Sequence, residues 1–187
     1  RSNQGALPAH HQIHTKPLGS GVLFNANLKG WVSEEALGDC IRQLIELNKT
    51  SAEILKKYEV HAATDITGFG LTGHGLEVAQ GSGVSLEIKF ESLSVFQEAL
   101  EMYEKGMTTG VNASNRSLVE NHIEMSDSLS VSGQEILFDP QTSGGLLVSV
   151  PESQSKEILN ELQHSGVSQA RIIGAVQTLG ATHLKIL

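Results

Sequence analysis

The feature that most constrains this chain is the run His61-Ala62-Ala63-Thr64-Asp65-Ile66-Thr67-Gly68-Phe69-Gly70-Leu71-Thr72-Gly73-His74-Gly75, where a short extended segment carrying an acid gives way to closely spaced glycines. Glycine removes side-chain bulk, so the backbone can turn sharply here, and a helix opening after the turn presents unpaired N–H groups to an anion. Asp65 would repel phosphate oxygens unless a divalent cation lay between them, the usual arrangement at magnesium–nucleotide sites. Asp65 is therefore the candidate metal ligand. Thr67, Gly68 and Gly70 are the candidate phosphate-loop residues.

Two other readings compete for the same residues. Gly68-Phe69-Gly70-Leu71-Thr72-Gly73 spells G-x-G-x-x-G, and Glu87 follows at a distance suited to a ribose-binding acid, which would make a dinucleotide-binding domain. Against this, Val60 to Ile66 is not the continuous apolar run of a buried parallel strand, and it places Asp65 beside the would-be pyrophosphate. Glu87 also lies in Val84-Ser85-Leu86-Glu87-Ile88-Lys89-Phe90, whose alternation puts it on the solvated face of a strand. The plainest reading is that the glycines only permit a tight turn and close helix packing.

Composition decides which ligands are reachable. In 187 residues, 13 basic side chains against 21 acidic ones leave a net charge of −8, which disfavours a nucleic-acid surface or a polybasic membrane patch. A polyanionic ligand then needs a metal or a local basic partner. No apolar run approaches the roughly 18 residues of a spanning helix, and the start of the chain has no apolar signal-peptide core. One cysteine forms no internal disulfide, so a reducing cytoplasm is the expected location.

That cysteine, Cys40, is read as scaffold. Leu37, Cys40, Ile41, Leu44 and Ile45 form an apolar stripe on a helix that opens at Ser33-Glu34-Glu35, and a buried thiol in such a stripe behaves as a small hydrophobe. Residues 1–14 read as a flexible or vector-derived lead. His10, His11 and His14 have a spacing that could bind metal on one helical turn, but Pro8 and the missing apolar face argue against that helix.

The remaining pattern is mixed. A short helix is expected at Lys49 to Tyr58, the Asp65 strand next, then a helix with Leu71, Gly75, Val78 and Ala79 on one face and Gly81 and Gly83 at its end. Val95 to Tyr103 reads as helical, while Lys105 to Glu135 reads as loops apart from a helix at Ser114 to Glu124. Asp139-Pro140-Gln141-Thr142-Ser143-Gly144-Gly145 is turn chemistry before a strand at Leu146 to Val150. A helix at Pro151 to His164 with Gly166 as its stop, and strands at Arg171 to Val176 and Thr182 to Leu187, close the chain. Strands and helices intermix without a repeat, which predicts an α/β (α+β) fold: a mixed β-sheet covered by helices.

Three stretches in order carry a resemblance: Thr15-Lys16-Pro17-Leu18-Gly19-Ser20-Gly21, Thr64 to Gly75, and Asp139-Pro140-Gln141-Thr142-Ser143-Gly144-Gly145-Leu146-Leu147. Together they resemble selenophosphate synthetase, or selenide, water dikinase, over residues 15–187. More widely they resemble the C-terminal domain of the aminoimidazole ribonucleotide synthetase superfamily. The resemblance implies a cytoplasmic, usually homodimeric enzyme that converts ATP, selenide and water to selenophosphate, AMP and orthophosphate, with magnesium bridging the phosphates. It implies that Asp65 is a magnesium ligand. It also implies that the reactive Cys or selenocysteine, its lysine and most nucleotide contacts belong to a missing N-terminal domain, so this chain is expected to be inactive alone and Cys40 does not inherit the nucleophile's role. Lys16 sits in a matching motif, with a phosphate contact and a helix-entry or surface role both open. The loop Thr109-Gly110-Val111-Asn112-Ala113-Ser114-Asn115 departs from the Gly-Gly-Thr pattern that precedes the matching Asn in many family members. A non-catalytic assembly or regulatory module of the same fold is the remaining alternative.

Overall fold

A seven-stranded mixed sheet organises residues 2–187, which are those the computed structural model describes. Its strands are β1 (His10–His14), β2 (Ala62–Asp65), β3 (Val84–Ile88), β4 (Ile123–Met125), β5 (Leu146–Pro151), β6 (Arg171–Thr178) and β7 (Leu184–Ile186). They lie in the order β2-β5-β1-β6-β3-β7-β4, antiparallel except for the parallel pairs β3–β7 and β4–β7. The mixed sheet and its helical cover agree with the fold class read from the sequence. Asp65 ends up at the end of an edge strand.

Helices α1 (Ser20–Asn27), α2 (Glu34–Ile45), α3 (Lys49–Leu55), α4 (Gly70–Ser82), α5 (Ala99–Glu104), α6 (Asn112–Val119), α7 (Val131–Phe138) and α8 (Glu152–His164) cover the two faces. Alternation along β5 decides which apolar residue goes where. Val148 and Val150 join Ile13 under Ile54 and Leu55 of α3 and Ile158 and Leu162 of α8. Leu147, pointing the other way, joins Leu23 of α1, Leu71 of α4, and Ile136 and Leu137 of α7. Each such side chain removed from water contributes about 1.5–3 kcal/mol, so these two layers hold the sheet between them.

The largest correction concerns the first fourteen residues. The lead expected to be flexible contains β1, an interior strand bonded to β5 on one side and β6 on the other. The physical reason is that the sheet's backbone hydrogen bonds on both edges place this segment, and Gln12 Nε2 donates to Ser149 Oγ at 2.6 Å, while Gln12 Oε1 and His14 Nε2 stay buried without a partner among the described residues. His10, His11 and His14 therefore lie on a strand, with His11 on the opposite face from the other two, and among the described residues no group of three or more His, Cys, Asp or Glu could hold a metal.

Within Lys105 to Glu135 the expected helix is present as α6, shifted to begin at Asn112 and end at Val119, while β4 and the start of α7 replace expected loops. The apolar run Glu135 to Phe138 is the last turn of α7. Helix α1 was hidden because Lys16 to Gly21 reads as a turn and Gly19, at φ 110°, precedes the helix. Elsewhere local signals carried through. Ser33 caps α2 by accepting from Ala36 N–H, and Gly83, at φ 67°, ends α4 in the left-handed conformation that glycine adopts without steric cost.

Candidate functional site

The turn between β2 and α4 is built from both sides. Gly70 has φ 70°, and a Cβ there would sit 3.0 Å from the Asp139 carbonyl oxygen and 3.1 Å from that of Leu137, so glycine is required by conformation and by close approach. Gly68 has no atom within 4 Å of its would-be Cβ. Its carbonyl accepts from Asn115 Nδ2 at 2.8 Å, and the same amide nitrogen donates to the Phe138 carbonyl at 2.9 Å. Thr67 contributes its carbonyl to the N–H groups of Gly70 and Gln141, both at 3.0 Å, and its hydroxyl to His74 Nε2 at 3.0 Å. The three predicted loop residues thus form one tightly held turn.

Asp65 stands immediately before that turn. It is exposed, and its carboxylate makes no hydrogen bond or ion pair among the described residues. Its backbone is aligned by the register of β2 against β5, which pairs Asp65 with Leu146. An unpaired carboxylate projecting from the end of an edge strand is available to a cation. It is a single oxygen donor group, which matches the way magnesium is held: by one or two carboxylates, several waters and substrate phosphates.

Beside the turn lies a groove of about 660 Å³ between α1, the α6 loop and residues 140–142. Phe24, Phe69, Val111 and Pro140 supply apolar surface, while Asn25, Asn115, Gln141 and Thr142 supply amide and hydroxyl groups. No charged side chain lines it. Phe69 is half exposed and packs against His74 with ring centroids 5.5 Å apart. Such a surface suits an uncharged part of a ligand, and the negative charge of phosphates would have to be met elsewhere.

The motif around Asp139, read from sequence only as a turn, proves to be a helix cap. Asp139 is fully buried; its carboxylate accepts from Gly21 N–H at 3.0 Å and Val22 N–H at 2.8 Å, from Tyr103 Oη at 2.6 Å and from Gln141 Nε2 at 2.8 Å. Gln141 Oε1 takes the N–H groups of Gly19 and Ser20 and the Ser20 hydroxyl, at 3.2, 3.3 and 3.1 Å. These two side chains occupy the free donors at the start of α1, so that helix N-terminus is closed to a phosphate. Burial raises the Asp139 pKa to about 6, with the four donors pulling the other way. Burial first, and the Asp139 charge second, push the Cys40 thiol up to about 12, which leaves it inert as the scaffold reading required.

Lys16 is only 5% exposed, and its ammonium donates to the Glu46 carbonyl at 2.7 Å and the Ser143 carbonyl at 2.9 Å. It clamps the end of α2 to the loop after Asp139 rather than facing a ligand. Gly144 and Gly145 belong to the same junction, because a Cβ at either would lie 2.0 Å from the Ile66 oxygen or 2.5 Å from Lys16 N. The dinucleotide reading fails on topology: the G-x-G-x-x-G follows an antiparallel edge strand, and Gly73 makes room for Phe69, whose Cβ would be 2.6 Å from a Cβ there. Glu87 is half-buried in β3 between β6 and β7, away from any such turn.

Asp139, Gln141, Asn115 and Tyr103 are the site residues that sequence reasoning missed. No local signal pointed to them: α1 was itself hidden in the sequence, and its lack of a capping side chain is shared by α3, α4, α5, α6 and α8.

A helix-backed mixed sheet with a glycine turn at one edge and a buried acid capping a neighbouring helix defines a class, the aminoimidazole ribonucleotide synthetase-like α+β domain. The family described as "AIR synthase related protein, C-terminal domain" matches residues 13–185, and the chain belongs to it. Similar curated proteins are named selenide, water dikinase: that of Clostridioides difficile (strain 630) is 39% identical over all of this chain and 53% of its own length, and that of Bdellovibrio bacteriovorus is 40% identical over 94% of this chain and 50% of its own. The chain spans about half the length of the curated relatives it matches. Among solved structures, thiamine monophosphate kinase from Aquifex aeolicus superposes with a TM-score of 0.66 at 22% identity, covering 99% of this chain and 52% of that one. Hydrogenase maturation protein HypE in complex with ATP gives 0.64 at 16%, covering 96% and 45%. These two likenesses show the fold.

Proposed function

We propose that this chain is the C-terminal part of an ATP-dependent selenide, water dikinase, which forms selenophosphate, AMP and orthophosphate from selenide, ATP and water. The relatives at 39–40% identity that carry that name support the reading. The single observation that carries the site is Asp65, exposed and unpaired among the described residues, three positions before Gly68, which lines an uncharged groove. In this reading Asp65 supplies one carboxylate to Mg²⁺, which would neutralise phosphate charge that the groove itself does not meet. Thr67, Gly68 and Gly70 hold the turn that presents Asp65, and the groove receives an uncharged part of the nucleotide. The other ligands and the reactive nucleophile come from the remaining half of the protein. The enzyme acts as a cytoplasmic homodimer, and the 187-residue chain alone is inactive.

The test is selenide-dependent AMP formation by the full-length protein, compared with the isolated chain. The full-length enzyme is expected to turn over and the chain not to. Asp65→Asn in the full-length enzyme is expected to lower turnover on the order of 100-fold, since the metal's charge stabilisation is worth several kcal/mol. Unchanged turnover in Asp65→Asn would remove the metal assignment, and a full-length protein that makes no AMP from ATP and selenide would remove the function.

A further inference from the structure

The first two turns of α4 hold a feature that the metal and groove assignments leave unexplained. His74 is 8% exposed and bonded at both ring nitrogens: Nε2 to the Thr67 hydroxyl at 3.0 Å and Nδ1 to Glu77 Oε2 at 3.0 Å. An ionised carboxylate only accepts, so Glu77 assigns the ring proton to Nδ1. In that tautomer Nε2 accepts, and the Thr67 hydroxyl donates. The ring also packs against Phe69, and Gly73 is small enough to let Phe69 lie there.

We infer that Glu77, His74 and Thr67 form a relay that positions the turn presenting Asp65. Beyond the β2–β5 pairing that aligns Asp65, the backbone from Ile66 to Gly68 has three further tethers to distant residues. Ile66 N–H donates to the Gly145 carbonyl at 2.9 Å, the Thr67 carbonyl accepts from Gln141 N–H, and the Gly68 carbonyl accepts from Asn115. Those three come from the segment between α7 and β5 and from α6. The relay ties this turn to α4 through a hydrogen bond between two side chains, beside the ring contact of Phe69 with His74. Without the Thr67 hydroxyl, His74 Nε2 would be left unpaired in a nearly buried place, and the turn would lose that tether. Because Asp65 lies two residues before Thr67, the relay sets where its carboxylate stands. These three are positioning residues, not reacting groups.

The inference rests on the magnesium role proposed for Asp65. Its test is magnesium titration of selenide-dependent turnover in the full-length enzyme, with thermal unfolding run alongside. Thr67→Val and His74→Ala are expected to raise the magnesium concentration at half-maximal turnover about 10-fold, and Thr67→Ser, which restores the hydroxyl, to bring it back within about 2-fold of the parent. A magnesium response unmoved in folded Thr67→Val would overturn the inference, as would Thr67→Ser behaving like Thr67→Val. Imidazole ¹⁵N shifts on the 187-residue chain provide an independent arm. Protonated Nδ1 and an accepting Nε2 on His74 support the relay, and the opposite tautomer overturns it. If the unaltered full-length enzyme shows no turnover, the functional proposal has failed, and the ¹⁵N arm still decides whether the relay exists.

Discussion

Replacing Asp139 with Asn should make the stability of this chain rise more steeply with pH in mildly acidic solution. Two buried groups oppose each other there. Asp139 has its pKa raised from 3.8 to about 6, so the folded state holds a proton more tightly than the unfolded state. Its contribution is full below 3.8 and is lost as pH rises through 6. His14, 2% exposed and with Nε2 unpartnered, is lowered from 6.5 to about 4 by burial, so its contribution is full above 6.5 and is lost as pH falls through 4. Each displacement is worth about 3 kcal/mol. Between pH 4 and 6.5 the two nearly cancel. Asp139→Asn removes one of them, so urea unfolding should show the variant gaining about 3 kcal/mol more stability than its parent from pH 4 to 6.5. The variant's baseline also falls by about 1–3 kcal/mol, because the new amide nitrogen must face donors such as Gly21 N–H and Gln141 Nε2. The exposed carboxylates titrate equally in both proteins and drop out of the comparison. A variant whose pH response matches that of its parent would refute the assignment of opposing buried charges.

The glycine turn offers a paired test. Gly70→Ala should cost at least about 1–2 kcal/mol through its positive φ alone, with more from the crowded Asp139 carbonyl, whereas Gly68→Ala, in open space, should stay within about 0.5 kcal/mol by thermal unfolding. Lys16→Met should lower stability by about 1–3 kcal/mol through two carbonyls left without their donor, and a neutral result would show that water replaces the clamp. Asp65→Asn should leave the unfolding midpoint of the 187-residue chain unchanged within about 0.5 kcal/mol, because the carboxylate has no partner among the described residues; a large loss would mean that Asp65 serves the fold.

How far the sequence carried depended on the range of the interactions involved. Helix α2 was legible because Ser33, Glu34 and Glu35 mark its start locally, and α8 because Ile158 and Leu162 repeat at helical spacing. Even so, the apolar stripe of α2 is only partly used: Cys40 is buried, while Ile41 and Ile45 are 43% and 72% exposed. Strand β1 was missed for the converse reason, as polar residues paired on both edges leave no apolar pattern to read. Within the site, Asp65, Thr67, Gly68 and Gly70 were found because they are neighbours in the chain. Asn115 and Asp139 were not, since their partners Gly68 and Gly21 lie 47 and 118 residues away.

By itself the sequence determined the intermixing of strands and helices, elements such as α2, α4, β5 and α8, the glycine turn at residues 68–70 and the acid placed just before it. These follow from side-chain size, periodicity and backbone freedom within a few residues. Tertiary structure alone decided that the polar lead becomes an interior strand, that Asp139 and Gln141 close the start of α1, and that Lys16 clamps two loops instead of meeting a ligand. Each of those outcomes pairs a buried polar group with a partner distant in the chain, and the cost of leaving such a group unpaired acts only once the fold has brought the two together.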